Sequence, residues 1–361
     1  MNSDLKIRRS PGNTTIKKIP NDYFPEECGF WFKLPEGLDK GKRLFFRDST
    51  HGKAIPVSNI VFIHGNPENS YTYRKVIKNV IEFAKKPFRI VAMDHIGFGL
   101  SDQATYEMVC MDHANNLLQL VKFLDLRNVT LIVHDWGGPI GIGAFLKDPE
   151  RVSNLVILNS TVFPMPKTGI TYDNFPGPRV NWAMGPKIIP NRLWGAFAAF
   201  AIFSKPMTQT KLFLKMIFSI LAKELGIYGK NDKTAQKVFR KQFKSKSNTL
   251  SSKRLVRQTP VWGYGNTYIE PKLGKRNTSS FYRFIQENIN DIWGPNGQGI
   301  GVRAICGHWD PSAKSEVIQQ WIAELPQLKD FVKIYKDVSH FIEEIKPKEI
   351  AKEIINVAGL I

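Results

Sequence analysis

Five short segments of this 361-residue chain carry groups able to do chemistry, and each comes after a short apolar run. His64-Gly65-Asn66-Pro67 follows residues 59–63, and Asp94 to Asp102 follows residues 88–93. His134-Asp135-Trp136-Gly137-Gly138 follows residues 129–133. Gly307-His308-Trp309-Asp310-Pro311 follows residues 302–305, and Asp337-Val338-Ser339-His340-Phe341 follows residues 331–334. The third segment has the pattern of a strand, a sharp turn and a helix, in which a strained turn presents one side chain at the end of a sheet. The residue at its tip is Asp135, and no G-x-S-x-G occurs elsewhere. A carboxylate in that position can attack saturated carbon, expel a leaving group and hold the substrate as an ester. An acid, Asp310, and then a histidine, His340, follow in the chain order expected behind such a nucleophile. His340 is placed to deprotonate water, and Asp310 to orient the imidazole and stabilise its charged form.

The elements that must position these groups alternate. Apolar, β-rich runs at 59–63, 88–93, 129–133 and 155–158 are separated by helical spacing at 71–85, 107–124 and 139–146. The alternation stops after Asn159 and resumes with a strand at 302–305, a helix at 316–323, a strand at 331–334 and a helix at 349–357. This pattern predicts βαβ units and a mostly parallel sheet, with active groups at the C-terminal strand ends. The chain divides into an extended, weakly structured arm (1–27), a first core part (28–161), a helical insertion (162–300) and a second core part (301–361).

Composition narrows the class. Hydrophobic residues make up 42% and charged residues 23%, as in globular proteins, but the formal net charge is +19. The excess is concentrated: residues 162–300 hold 22 basic and 6 acidic residues, leaving the rest nearly neutral. Ten Lys/Arg fall between positions 230 and 257 against one acid, Asp232. With few aromatics and no named motif there, a specific nucleic-acid site is disfavoured. A solvated helix face is the first reading, followed by attraction to an anionic membrane or an acidic protein. The apolar runs 193–203 and 212–222 are too short to span a bilayer and are expected to line an apolar pocket. Three cysteines, Cys28, Cys110 and Cys306, make no disulfide framework, and residues 1–20 lack an apolar signal core; both predict a cytoplasmic protein.

The segments HGNP, GFGLSD and HDWGG, with the late Asp310 and His340, resemble the haloalkane dehalogenase group of the α/β-hydrolases over roughly residues 25–165 and 300–358. The late acid and the Asn66–Trp136 pair resemble the subgroup that overlaps β-lactone decarboxylases of long-chain olefin synthesis. The resemblance implies an α/β-hydrolase fold, a mostly parallel central sheet flanked by helices, with the insertion as a helical cap. It implies a small hydrophobic substrate, a halide product and no cofactor or metal. The Trp136 indole N–H and the Asn66 amide N–H are donors suited to a departing anion. The backbone N–H groups of the same two residues would form the oxyanion hole for ester hydrolysis.

Several positions invite other readings. His134 is expected to be structural, and His95 and His308 to be structural or rim residues without metal-ligand spacing. In one dehalogenase subgroup the acid follows the strand ending here at Leu158; this chain has Asn159-Ser160-Thr161 there, which leaves Asp310. Asn159 either lies near the His–Asp pair or caps a turn. Glu68 stands where the family usually has a small or hydroxyl residue, and is expected near the pocket mouth, disfavouring anionic substrates. An epoxide hydrolase would need two cap tyrosines, from Tyr172, Tyr228, Tyr264 and Tyr268. A binding protein that kept the fold would work instead through its basic insertion; intact Asp135, Asp310 and His340 argue for an enzyme.

Overall fold

The computed structural model describes residues 6–8, 12–168, 171, 182–204, 207–227 and 233–361. The strands, in chain order, are β1 (Lys6–Arg8), β2 (Gly29–Lys33), β3 (Arg43–His51), β4 (Asn59–Ile63), β5 (Phe88–Met93), β6 (Val129–His134) and β7 (Val152–Leu158). β8 (Thr267–Glu270), β9 (Gly274–Asn277), β10 (Gly301–Gly307) and β11 (Val332–Tyr335) follow. Nine of them form one sheet in the order β1-β2-β3-β5-β4-β6-β7-β10-β11, and β8 pairs with β9 as a separate hairpin. The leading strands β1 to β3 are antiparallel to their neighbours. From β5 through β4, β6, β7 and β10 to β11 the pairing is parallel.

Helices α1 (Arg74–Phe83), α2 (Cys110–Phe123) and α3 (Gly137–Phe145) lie before the insertion. Within it are α4 (Gly185–Ile188), α5 (Trp194–Phe203), α6 (Gln209–Glu224), α7 (Lys233–Lys241), α8 (Lys246–Arg257) and α9 (Ser279–Trp293). After it come α10 (Ser315–Glu324), α11 (Ile342–Ile345) and α12 (Pro347–Val357). The central strands are apolar at nearly every position because both sheet faces are covered. Side chains alternate across a strand. Val61, Ile63, Leu131, Val133 and Ile157 therefore meet Leu117 and Leu120 of α2, Ile140 of α3 and Ile285 of α9. Ile60, Phe62, Ile132, Val156 and Leu158 meet Val76 and Val80 of α1 and Ile350 and Ile354 of α12. The result is the three-layer α/β-hydrolase architecture, a mostly parallel sheet between helices.

Three features differ from the sequence reading. The arm is not weakly structured in its described part: Tyr23 is buried against Phe45 and Tyr71, and its hydroxyl donates to Asp94 Oδ2 at 2.9 Å. Ile16 joins the same cluster as Ala201 and Phe239, tying the arm to α5 and α7. The helix expected from residue 107 starts at Cys110, because the Val109 N–H is taken by Asp112 and Glu107 is drawn into an ion pair with Arg254. The insertion is not purely helical. It contains the β8–β9 hairpin, and α9 packs on α3 of the core, where Phe281 and Ile285 lie so close to Gly143 that a Cβ there would meet the Phe281 ring at 2.6 Å.

Candidate functional site

β6 ends at His134 and α3 begins at Gly137, so only Asp135 and Trp136 turn the chain. Asp135 has φ +49°, a left-handed conformation that costs a non-glycine residue on the order of 1 kcal/mol. The turn is held by Ser160 Oγ, which donates to the Asp135 carbonyl at 2.6 Å, and by the Gly138 N–H at 3.0 Å. A Cβ on Gly137 would lie 2.3 Å from the Ile63 carbonyl oxygen, so the helix approaches the sheet this closely only because that side chain is missing. Gly65 serves the facing turn in the same way: a Cβ there would sit 2.5 Å from Asp135 Oδ2. With that space open, the Asn66 N–H donates to Asp135 Oδ2 at 2.8 Å, and the Trp136 backbone N–H also supports the carboxylate. Burial raises the Asp135 pKa above the ordinary value, against the lowering effects of His340, His134 and these two N–H groups.

His340 Nδ1 lies 2.5 Å from Asp310 Oδ2, and its Nε2 lies 3.6 Å from Asp135 Oδ1. The Nδ1 faces a carboxylate and so carries the proton; in the neutral ring the lone pair of Nε2 faces Asp135. Asp310 is fixed by the Ser312 N–H at 2.8 Å and the Ser312 hydroxyl at 2.5 Å. Burial would raise the Asp310 carboxyl, but the adjacent imidazole outweighs it and holds the group below its usual range. Burial would likewise lower His340, but Asp310 beside it outweighs that and raises it. Asn159 lies against this segment: its amide donates to the Ser339 carbonyl at 3.0 Å and to the His340 carbonyl, and its oxygen accepts from the Gly307 N–H at 2.8 Å.

Glu68 is not at the pocket mouth. It is fully buried beneath the elbow, where Oε1 accepts from the Gly65 N–H at 2.6 Å and faces His134 Nδ1 at 2.6 Å. The turn after Pro67 folds the side chain inward, because that is where a histidine waits. His134 Nε2 faces the His340 carbonyl at 2.9 Å and Glu343 Oε2 at 3.6 Å. Both ring nitrogens therefore face acceptors, which requires a doubly protonated imidazolium. Burial would lower the His134 pKa, but Glu343 and Glu68 overcome it and the value is raised well above the ordinary one. Burial also pushes the Glu343 carboxyl up to about 8. Burial works the same way on Glu68, but His134 overrides it and the net direction is down. Glu68, His134 and Glu343 are close enough together to be considered as metal ligands, their atoms lying within 4.8 Å of one another. An imidazolium with both nitrogens committed offers no lone pair to a metal. The cluster is better described as an imidazolium flanked by an ionised Glu68 and by Glu343, whose carboxyl releases its proton at higher pH than usual.

Above Asp135 lies a partly enclosed cavity. The core contributes Asn66, Asp135, Trp136, Asp310 and His340; the insertion contributes an apolar wall that includes Trp194 and Phe197 of α5, Val256 of α8 and Trp262. The five residues singled out in the sequence thus meet at one cavity. Trp136 stacks on Trp262 with ring centroids 3.8 Å apart, and its own indole N–H has no protein acceptor among the described residues. The Asn66 amide is steered by Ser252 of α8, whose hydroxyl donates to Asn66 Oδ1 while its carbonyl accepts from Asn66 Nδ2 at 3.3 Å. Of the run 193–203, α5 lines the cavity as expected; α6, which carries the run 212–222, does not. Tyr264 and Tyr268 do not line the cavity, and Tyr172 and Tyr228 lie outside the described residues. His95 is buried against His64, and burial lowers its pKa to about 4; His308 is exposed at the surface.

Sequence reasoning missed Glu343, Ser252 and Trp262. Only Glu343 carried a usable signal, its spacing of three residues from His340 in a segment that starts a helical turn.

The profile described as "alpha/beta hydrolase fold" matches residues 59–344. The chain is similar to a cis-3-alkyl-4-alkyloxetan-2-one decarboxylase of Shewanella oneidensis, 26% identical over 319 residues, or 87% of this chain and 84% of that protein. It is also similar to a haloalkane dehalogenase of Mycolicibacterium smegmatis, 36% identical over 141 residues, 38% of this chain and 41% of that one. In three dimensions it matches the haloalkane dehalogenase DatA of Agrobacterium tumefaciens with a TM-score of 0.60 at 17% identity, covering 94% of this chain and 99% of the other. A second match is the haloalkane dehalogenase DpaA of Paraglaciecola agarilytica, with a TM-score of 0.59 at 18% identity and coverage of 94% and 96%.

Proposed function

The chain belongs to the alpha/beta hydrolase fold family, and from that footing we propose that it displaces an anionic leaving group from saturated carbon with Asp135 as nucleophile, most simply as a haloalkane dehalogenase. The observation that carries this reading is the carboxylate itself. Asp135 occupies the strained turn, receives the Asn66 N–H and lies 3.6 Å from the Nε2 of a histidine held by Asp310. In the first step an Asp135 oxygen bonds to the substrate carbon, and the carbon–halogen bond breaks with its electron pair leaving on the halide. The indole N–H of Trp136 and the amide of Asn66 receive that charge in an apolar cavity, where such donors are most effective. In the second step water attacks the carboxyl carbon of the ester while His340 Nε2 takes its proton. The backbone N–H groups of Asn66 and Trp136 stabilise the oxyanion, and collapse releases the alcohol and regenerates Asp135. Asp310 stabilises the imidazolium formed in between.

A second reading is favoured by the Shewanella relative, which aligns over most of this chain. Attack of Asp135 on the saturated ring carbon of a β-lactone would open the ring with a carboxylate as the leaving group. Loss of CO2 would then expel Asp135 and leave an alkene, with no water consumed.

Substitution of His340 tests the two-step scheme. With a 1-bromoalkane, His340→Phe is expected to accumulate an alkyl ester on Asp135, seen as an intact-mass increment that Asp135→Asn lacks. A wild type that turns over bromoalkane while its His340→Phe variant carries no adduct would sink the two-step scheme. A parallel screen of bromoalkanes and a cis-β-lactone decides the leaving group: bromide release without olefin supports the first reading, and CO2 with olefin the second.

A further inference from the structure

Helix α6 is apolar on two opposite faces. Leu212, Met216 and Ile220, spaced by four, are buried, and α6 packs on α5. Leu214, Ile217, Phe218 and Leu221, spaced by three and four, form a second stripe on the far side, which Leu225 and Ile227 continue beyond the helix end. These side chains are exposed: Phe218 by 71% and Leu225 by 76%. Scattered exposed apolar residues are ordinary on protein surfaces, but a continuous stripe of large ones marks a surface that is covered in use.

The charges around the stripe identify the cover. Lys211 and Lys215 are exposed along one flank, within one helical turn of Leu214 and Phe218. At the C-terminal end of α6 a groove is lined by Arg192, Arg240, Lys244 and Lys246, with Glu224 as its one acid. An apolar stripe bordered by cations is the pattern of a helix lying in a membrane interface, its side chains among acyl tails and its lysines among headgroups. A second copy of the chain would bring a like surface against an insertion carrying 22 basic and 6 acidic residues, which disfavours self-association through it. No helix among the described residues is long and apolar enough to cross a membrane, so contact would be peripheral.

We propose that the outer face of the insertion, α6 with the adjoining basic groove, docks on an anionic lipid surface. α5 stands between this face and the cavity: it packs on α6 and presents Trp194 and Phe197 to the space above Asp135. Docking would set the apolar side of the cavity against the membrane in which a hydrophobic substrate partitions. The inference is independent of the chemistry assigned to Asp135.

The test is flotation of the full chain with phosphatidylcholine vesicles, with and without about 30% phosphatidylserine, at low and high salt. Binding is expected with the anionic vesicles only, and is expected to weaken with salt. Phe218→Ser combined with Leu221→Ser is expected to reduce binding by about tenfold or more, and Lys244→Glu combined with Lys246→Glu by about tenfold. Both pairs are on the surface and should keep the wild-type circular dichroism, thermal midpoint and turnover of a soluble substrate. Equal binding to neutral vesicles, no binding to either, or binding indifferent to both variants would overturn the proposal. So would light scattering that shows a dimer which the Phe218/Leu221 variant converts to monomer, because the stripe would then be a self-interface.

Discussion

Glu343→Gln is expected to stabilise the fold at alkaline pH and to have little effect in mild acid. The Glu343 carboxyl is fully buried, with Oε1 accepting from the Thr72 hydroxyl at 2.6 Å and Oε2 facing His134 at 3.6 Å. Its pKa rises from an ordinary 4.5 to about 8, chiefly through burial and also through the negative charge of Glu68. Between these values the folded chain keeps a proton that the unfolded chain has lost, so stability falls as pH rises through the window. At roughly 1.4 kcal/mol per pH unit, raising the pH from 5.5 to 8 removes about 3 kcal/mol through this one group. His134, whose pKa is also raised, adds loss in the same direction above its ordinary 6.5. Glu68, whose pKa is lowered, acts only in acid, where stability is lost as pH falls below about 4.5. Glutamine keeps the acceptor for Thr72 and gives up only the 3.6 Å approach of Oε2 to His134, so it removes the titration while keeping the shorter contact. The assay is thermal unfolding of wild type and variant at pH 5.5 and pH 8. In a chain this large each kcal/mol moves the midpoint by about 1–2 °C, so a differential gain of several degrees at the higher pH is expected. A shift of equal size at both pH values, or a larger loss at pH 8, would refute the assignment of a protonated carboxyl at Glu343.

Asp310→Asn is expected to lower kcat by on the order of a hundredfold or more. It should also move the acid limb of the kcat profile to lower pH, because the carboxylate that raises His340 is gone and the base must be neutral to work; an unmoved limb would mean that His340 does not control it. Trp136→Phe keeps an aromatic ring against Trp262 but removes the indole donor, and should cost about a hundredfold in release of the leaving anion; halide release at wild-type rate would place the anion elsewhere. Tyr23→Phe should destabilise the protein by about 1–3 kcal/mol in urea unfolding, because buried Asp94 loses a hydrogen-bond donor from the arm. A neutral result there would mean that the arm contributes little to the core.

By itself the sequence determined the parallel sheet, the elbow and the order of its partners. These are local properties: strands covered on both faces are apolar at nearly every position, as residues 129–133 are with Thr130 as the exception, and the candidate residues sit in the segments that follow such runs. Asp135, Asp310, His340, Asn66 and Trp136 were legible for that reason, and the structure brings them to one cavity. What the sequence misjudged depends on contacts between distant positions. Glu68 follows a turn and looks like a rim carboxylate, but it is drawn under the elbow by His134, 66 residues away, and confronted there by Glu343. The arm lacks strong periodicity, yet Tyr23 is fixed by Asp94, 71 residues away. The two apolar runs of the insertion look alike as strings, and helical spacing cannot say which face meets a cavity and which meets solvent. Only packing decided that α5 walls the space above Asp135 while α6 turns Phe218 and Leu221 outward, because burial is set by what the rest of the chain places alongside each face.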